Sequence, residues 1–193
     1  KPKPFVPRYL RAEVPGRIDF LGKEINTLDL SNLNSILDNF KKHKVQSIAV
    51  CLIHAYANSK HEEKVINHIK NYWPEIDVVA SHQITREWRE YERTNTTVLC
   101  SYVKPIARNY LDKLSKKLIE SNFKGNPYVM QSNGGIDTFE STKNIPLTMI
   151  ESGPTSGVLG AAELGKLINE KNIISLDVGG TTAKCSLIEN GNV

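Results

Sequence analysis

The sequence of 193 residues predicts an α/β protein in which parallel or mixed sheets are flanked by helices. Residues 45–55 (VQSIAVCLIHA) form a continuous, β-branched apolar run, typical of a strand buried on both faces. Apolar residues recur at helical spacing on both sides of this run. Further along, residues 173–177 form a second apolar strand that ends in a glycine turn.

The first part of the chain alternates between the two types of element. Each predicted helix is bounded by a cap or a proline, and each strand is short and apolar. The order β-α-β-α-β favours parallel strands with right-handed crossovers, in a first α/β domain that covers residues 1–84. The predicted elements are short strands in 14–29, a helix in 30–43, the strand 45–55, a helix in 59–73 and a strand in 76–80.

The second part begins with a long helical stretch. Residues 85–125 are predicted as linking helices, kinked or restarted at Pro105, where the backbone N–H is missing. Residues 126–193 are predicted to begin a second domain. Its predicted elements are a strand in 126–132, a tight turn of positive φ at 133–135, a hairpin arm in 136–142, a helix in 152–169 that Ser152 caps, and strands in 173–177 and 184–189.

Composition excludes several classes of function. The net charge is +4 and the basic residues are scattered, which argues against a nucleic-acid partner. No apolar run is long enough to cross a bilayer, and no signal peptide is recognisable. Three widely spaced cysteines favour free thiols in a reducing, cytoplasmic interior. The sequence lacks an initial methionine and closes on a strand that enters an Asn-Gly turn, so we expect a piece of a longer protein.

The hexapeptide DVGGTT, residues 177–182, carries the sharpest chemical signal. Gly179 and Gly180 lack Cβ atoms, so the backbone can approach a phosphate and direct N–H groups at it. Thr181 and Thr182 add hydroxyl donors, and Asp177 at the strand end is suited to hold a hydrated Mg²⁺. The P-loop pattern GxxxxGK[ST] is absent. A plain glycine hairpin explains the hexapeptide equally well.

Two other glycine-containing segments are candidate anion or substrate loops. Ser152 and Gly153 open a helix whose N-terminus offers free N–H groups, although an ordinary capped and tightly packed helix is the simpler interpretation. Gly134 and Gly135 follow another strand, where a simple turn suffices.

Two polar groupings are interpreted as structural. The segment REYER, residues 89–93, is predicted to be a solvated face with salt bridges. His54, His61 and His68 lack accompanying acidic or cysteine ligands, so a metal cluster is not expected.

Five segments in order resemble the hydantoinase A / 5-oxoprolinase family, and the resemblance covers almost the whole chain. Residues 48–65 are similar to the signature of the amino-terminal domain, and residues 86–105 to the helix that follows. The other three are similar to successive motifs of the main domain: residues 129–135 (VMQSNGG), 151–161 (ESGPTSGVLGA) and 176–191 (LDVGGTTAKCSLIENG).

The resemblance implies a partial actin-like ATPase (ribonuclease H-like) architecture and the cofactors ATP and Mg²⁺. By that analogy, residues 177–182 form a phosphate loop, with Asp177 near the metal and the two threonines near the phosphates. Lys184 stands where many oxoprolinase-type members have Asp, so it either contacts a phosphate or points outward. A first phosphate loop and an adenine-binding segment, which such folds carry, are not found in this sequence.

The implied function is ATP-dependent opening of a small cyclic amide or imide of the hydantoin, N-methylhydantoin or 5-oxoproline type, through phosphoryl activation. A B-type hydantoinase subunit, or a fused equivalent, is the implied partner. Two alternatives remain open: a subunit of an acetone or acetophenone carboxylase-like enzyme, and a non-catalytic actin-like nucleotide-binding module.

Overall fold

The computed structural model describes residues 3–193, so Lys1 and Pro2 of the first predicted domain lie outside the described residues. The predicted mixed α/β class is confirmed. Within the described range, no helix is both long and apolar enough to span a membrane. The elements are β1 (Arg17–Ile18), β2 (Glu24–Asn26), α1 (Leu33–Lys42), β3 (Ser47–Val50), α2 (Lys60–Tyr72), β4 (Asp77–Ala80), α3 (Ser81–Ile84), α4 (Glu90–Glu120), β5 (Tyr128–Met130), β6 (Ile136–Thr138), α5 (Phe139–Asn144), α6 (Ser152–Ile168), β7 (Ile173–Val178) and β8 (Ala183–Ile188).

The chain divides into two compact units, and the division falls inside α4. Unit 1 ends at Tyr110 and unit 2 begins at Leu111. The predicted domain limits at residues 84 and 125 stay predictions. The helix α4 runs through Pro105 without restarting, contrary to one of the two expectations for that position, because a proline removes only one hydrogen bond from a helix of 31 residues.

The core of unit 1 lies around the parallel strands β3 and β4, which pair in register from Ser47↔Asp77 to Val50↔Ala80. Helix α1 buries its apolar face there, at positions three and four residues apart. Helix α2 does the same with its own apolar face. The buried cluster comprises Leu33, Leu37, Phe40, Ile48, Val50, Val65, Ile66, Ile69, Ile76, Val78 and Ala80.

Two predictions for unit 1 are wrong in detail. The strand expected over residues 45–55 covers only β3, since the chain turns where Leu52 O accepts the N–H of Ala55 and His54 adopts a positive φ of 59°. The apolar run continues because Ala55 is buried within that turn. The strands β1 and β2 pair antiparallel with each other, so the parallel sheet has two strands among the described residues instead of three.

Unit 2 contains two antiparallel hairpins, β5-β6 and β7-β8. The arm predicted over residues 136–142 is shorter, because Thr138 caps α5 by accepting a hydrogen bond from the Ser141 N–H. Helix α6 packs on the second hairpin, where Ile188 is fully buried. At Gly165 a Cβ atom would lie 2.6 Å from the backbone oxygen of Glu170 and 2.3 Å from Ile173 Cδ1, so this position requires glycine.

Candidate functional site

The DVGGTT segment forms the predicted strand-turn-strand hairpin. Asp177 is the penultimate residue of β7, and residues 179–182 form the turn, which the hydrogen bond from Gly179 N to Thr182 O closes at 2.8 Å. All six residues are exposed. A Cβ added at Gly180 would meet no atom within 4 Å, so space outside this backbone is open.

Asp177 and Lys184 are directly opposite each other across the hairpin and therefore share a face. Lys184 Nζ binds the Glu151 carboxylate at the start of α6. The Asp177 carboxylate makes no hydrogen bond or ion pair within residues 3–193. The hairpin and the helix start thus lie together, with one carboxylate paired and the other available to a ligand.

The start of α6 differs from the prediction. The N-cap is Glu151, with a positive φ of 63°, and Ser152 is the first helical residue rather than the cap. Glu151 gives no side-chain capping bond, because its carboxylate is bound to Lys184. The first N–H groups of a helix have no intrahelical acceptor. The N–H groups of Ser152 and Gly153 therefore remain for a ligand or water.

The glycines of α6 divide into two groups. At Gly153, Gly157 and Gly160, an added Cβ would meet no atom within 4 Å. These three glycines leave the helix surface open, and close packing of the helix on the hairpin occurs at Gly165.

The turn between β5 and β6 contacts the first turn of α6. Gly134 has a φ of +85°, as predicted for the tight turn, and Gln131 N donates to Gly135 O at 2.8 Å. Thr155 Oγ1 donates to Ser132 O at 3.1 Å. The structure therefore brings the turn at 131–135 to the helix start, and the helix start to the β7-β8 hairpin.

Sequence reasoning missed a buried polar cluster in unit 1. Glu62 is fully buried, and its carboxylate accepts hydrogen bonds from Leu52 N, Ser81 Oγ, His82 N and His82 Nδ1. Arg93, also fully buried, donates from Nε to Ser81 Oγ and from Nη2 to Leu52 O. The cluster joins the carboxyl ends of β3 and β4 to α2 and α4.

The expectation of a solvated REYER face is therefore wrong for Arg93. Its guanidinium also binds the Glu90 carboxylate and donates to Glu87 O at 2.9 Å. A sequence signal for the burial of Arg93 does exist. Arg93 is at helical spacing from Thr97 and Cys100, and both of these residues are buried. This row marks the inner face of α4.

The histidines do not form a metal site. His54 Nδ1 lies 2.8 Å from Ile18 O, His61 Nε2 lies 2.7 Å from Glu24 Oε1, and His68 Nε2 lies 2.7 Å from Asn34 Oδ1. In the described part of the chain, no group of three His, Cys, Asp or Glu residues is arranged to hold a metal ion by itself.

Comparison with known proteins shows the family to which the chain belongs. The sequence profile of the hydantoinase/oxoprolinase family matches residues 93–193, and that of its N-terminal region matches residues 1–73. The chain belongs to the hydantoinase/oxoprolinase family. The family predicted from the sequence is confirmed.

Three relatives show how much of such a protein the chain represents. It is 41% identical to an uncharacterized protein of Methanocaldococcus jannaschii, over 100% of the chain and 28% of the relative. It is 31% identical to the acetone carboxylase beta subunit of Xanthobacter autotrophicus, over 98% of the chain and 27% of the relative. Against the caprolactamase subunit alpha of Pseudomonas jessenii, identity is 28% over 96% of the chain and 27% of the relative. The chain therefore spans just over a quarter of the length of these relatives.

Solved structures of two such enzymes share the fold. A nucleotide-free structure of acetone carboxylase matches 99% of this chain and 27% of its own, with a TM-score of 0.83. The ATP-dependent caprolactamase of Pseudomonas jessenii matches 94% of this chain and 26% of its own, with a TM-score of 0.80. Both of these enzymes are described as ATP-dependent.

Proposed function

We propose that this chain is part of an ATP-dependent amidohydrolase that opens a small cyclic amide or imide of the hydantoin, N-methylhydantoin or 5-oxoproline type. ATP would supply a phosphoryl group to the amide oxygen and leave as ADP. The ring carbon would then be a better electrophile for water, and inorganic phosphate would be released as the C–N bond breaks. The observation that carries the proposal is the exposed glycine turn with its unpartnered Asp177. It occurs in a family whose members include an enzyme described as an ATP-dependent caprolactamase.

The residues present fit MgATP. Mg²⁺ usually takes one or two protein carboxylates and completes its shell with water and phosphate oxygens, which a single open Asp177 satisfies. The open space at Gly180 leaves room for a phosphate chain beside the backbone. When bound, MgATP supplies the phosphoryl group and part of the charge neutralisation.

The chain's own residues would then orient and neutralise the phosphates. The backbone N–H groups of the turn and the hydroxyls of Thr181 and Thr182 are donors on the exposed side of the hairpin. The N–H groups of Ser152 and Gly153 add donors at the positive end of a helix dipole. Lys184 lies on the same face of the hairpin as Asp177, with its ammonium bound to the Glu151 carboxylate.

A second candidate is ATP-dependent carboxylation of a small ketone, favoured by the match to acetone carboxylase at a TM-score of 0.83. In both reactions ATP would activate a carbonyl oxygen of the substrate. Water then attacks the activated ring in the hydrolysis, whereas the activated ketone reacts with a carboxyl donor in the carboxylation. The third alternative is nucleotide binding without turnover. A phosphate-release assay distinguishes it from both enzymes, because it predicts no release of phosphate.

A partner subunit belongs to the proposal. The relatives are named as subunits: alpha of caprolactamase, beta of acetone carboxylase and gamma of acetophenone carboxylase. We therefore propose a cytoplasmic enzyme in which a second, B-type subunit or a fused equivalent completes the hydrolysis step.

The test is a steady-state assay of phosphate release by the full-length protein with its partner subunit. Cyclic amides, cyclic imides and small ketones with bicarbonate are supplied in parallel. We expect release that depends on a cyclic amide or imide, and a loss of about 100-fold or more in Asp177→Asn and Gly180→Val. Asp137→Asn, which keeps an acceptor for the Thr138 N–H, is the matched control and should retain activity. Ketone-dependent release alone would favour the second candidate, and equal rates for Asp177→Asn and wild type would refute the phosphate-loop assignment.

The 193-residue chain alone should bind MgATP weakly and not hydrolyse it at a useful rate. Phosphoryl transfer needs charge neutralisation from several sides, and an open turn surrounded by water supplies it from one. A calorimetric titration with MgATP should show weak binding that Asp177→Asn reduces. Phosphate release equal to that of the full-length protein would contradict the expectation.

A further inference from the structure

Lys184 and Asp177 carry opposite charges on neighbouring strands, and yet they do not pair with each other. The two residues are directly opposite in the ladder between β7 and β8, so both side chains lie on the same face of the hairpin. The Cβ atoms of such residues are about 5 Å apart, and a lysine side chain is long enough to reach a carboxylate across that distance. An ion pair between Lys184 and Asp177 is therefore the arrangement that the ladder alone predicts.

The structure shows a different pairing. The Lys184 ammonium binds the carboxylate of Glu151, which is 33 residues away in the sequence. The Asp177 carboxylate makes no hydrogen bond or ion pair within the described residues 3–193. The ammonium thus lies at the start of α6, and the acidic residue opposite Lys184 is left without a cation.

Glu151 has an unusual backbone conformation and does not act as an ordinary helix cap. It is the N-cap residue of α6, but its side chain accepts no hydrogen bond from the first turn of the helix. Its φ of 63° lies in the left-handed region, which residues other than glycine seldom adopt and which is enriched at ligand sites. The side chains of Glu151 and Lys184 are 66% and 37% exposed, so their ion pair contributes little to stability. These observations favour a role in the site over a role in the fold.

We propose that Glu151 is a positioning residue, which holds the Lys184 ammonium at the start of α6 and so leaves the Asp177 carboxylate open to Mg²⁺. This inference rests on the proposed function, in which Asp177 binds the cation of MgATP. Without the Glu151 carboxylate, the lysine would turn to Asp177, its neighbour across the ladder. The ammonium would then compete with Mg²⁺, because a carboxylate that is already neutralised attracts a second cation less strongly.

The test measures the Mg²⁺ midpoint, which is the concentration of free Mg²⁺ at which the full-length protein shows half-maximal binding of a fluorescent, non-hydrolysable ATP analogue. This readout does not depend on turnover. In Glu151→Gln the Mg²⁺ midpoint should rise about two- to fivefold, the range that corresponds to one exposed ion pair. Glu151→Gly, in which glycine suits the positive φ, should give the same rise and serves where Glu151→Gln does not fold.

The matched control is Glu163→Gln, which removes another exposed carboxylate of α6 that is paired with a lysine, Lys166. It should leave the Mg²⁺ midpoint at the wild-type value. A midpoint equal to that of wild type in both Glu151 variants would overturn the proposal.

A double-mutant cycle separates positioning of the lysine from a simple loss of negative charge. In a Lys184→Met background no ammonium is present to bind Asp177, so Glu151→Gln should no longer raise the Mg²⁺ midpoint. An equal rise with and without Lys184 would assign the effect to the charge of Glu151 alone and would overturn the proposal.

Asp177→Asn distinguishes a failure of this inference from a failure of the proposed function. If Asp177→Asn leaves the Mg²⁺ midpoint unchanged, Asp177 does not bind the cation, and the phosphate-loop assignment fails together with this inference. If Asp177→Asn raises the midpoint and the Glu151 variants do not, the phosphate-loop assignment stands and only the role of Glu151 is refuted.

Discussion

Replacement of Glu62 by glutamine should strongly destabilise unit 1, because the carboxylate accepts from four donors. Oε1 accepts from Leu52 N at 2.8 Å and Ser81 Oγ at 2.7 Å, and Oε2 accepts from His82 N at 3.0 Å and Nδ1 at 2.7 Å. Glutamine has the same shape, but its NH₂ group must face one of these pairs. Two acceptor interactions are then replaced by contacts between donors.

The magnitude follows from the number of lost bonds. A hydrogen bond to a charged group contributes about 1.5–3 kcal/mol, and a buried donor left without a partner costs a similar amount. Two lost bonds give a range of about 3–6 kcal/mol, and rotation of the hydroxyl and local relaxation reduce it, so we expect about 3 kcal/mol. This is a large share of the stability of an ordinary domain, which is about 5–15 kcal/mol.

Tryptophan fluorescence is a suitable assay, because the two tryptophans of the chain, Trp73 and Trp88, both lie in unit 1. Urea titration of the 193-residue chain then reports the free energy of unfolding of that unit. The matched control is Glu63→Gln on the next residue of α2, where Glu63 accepts only from Ser59 Oγ on the exposed side. The control should change stability by less than about 0.5 kcal/mol. An equally small effect of Glu62→Gln would refute the account of the buried cluster.

Three further predictions concern other positions. Burial raises the pKa of the Cys51 thiol from 9.0 to about 11, so its alkylation rate should rise about tenfold per pH unit from about pH 7 to about pH 10; a plateau below pH 9 would contradict this. Gly165→Ala should lower the free energy of unfolding of unit 2, measured by hydrogen exchange, by about 2–3 kcal/mol. Gly160→Ala, where an added Cβ meets no atom within 4 Å, should raise it by up to about 1 kcal/mol. The hydrogen bond with His61 lowers the pKa of Glu24 below 4.5. The thermal unfolding midpoint of the wild type should therefore exceed that of Glu24→Gln above pH 4.5, and the two midpoints should converge as the pH falls below 4.5. A difference that is constant with pH would refute this account.

The predictions from the sequence succeeded where one local signal decided the structure. The helices α1 and α2 have apolar residues at helical spacing and clear boundaries, and both formed as predicted. The β7-β8 hairpin followed from two apolar runs around a glycine turn. In contrast, residues 51–55 continue the apolar pattern of β3 although the chain has already turned, because Ala55 is buried in the turn as Ile48 and Val50 are in the strand.

The polar interactions were not predictable from local patterns. Glu62 and Ser81 are 19 residues apart, and Lys184 and Glu151 are 33 apart, so no local spacing indicates either contact. The candidate cap Ser152 was preferred on propensity, but Glu151 takes the N-cap position because its carboxylate pairs with Lys184. Tertiary pairing overrides the local preference in this case.

The two acidic residues Glu62 and Asp177 show why the buried cluster and the exposed turn are assigned different roles. The Glu62 carboxylate accepts four hydrogen bonds in a fully buried position, so it has no oxygen lone pair left for a cation. Replacement of the Glu62 carboxylate should therefore mainly lower the stability of unit 1. The Asp177 carboxylate is exposed and has no partner among the described residues, so its oxygen atoms are available to a ligand. A substitution that preserves the fold and abolishes ATP-dependent turnover is therefore expected at Asp177 and not at Glu62, which is why the chemistry of this chain is proposed for unit 2.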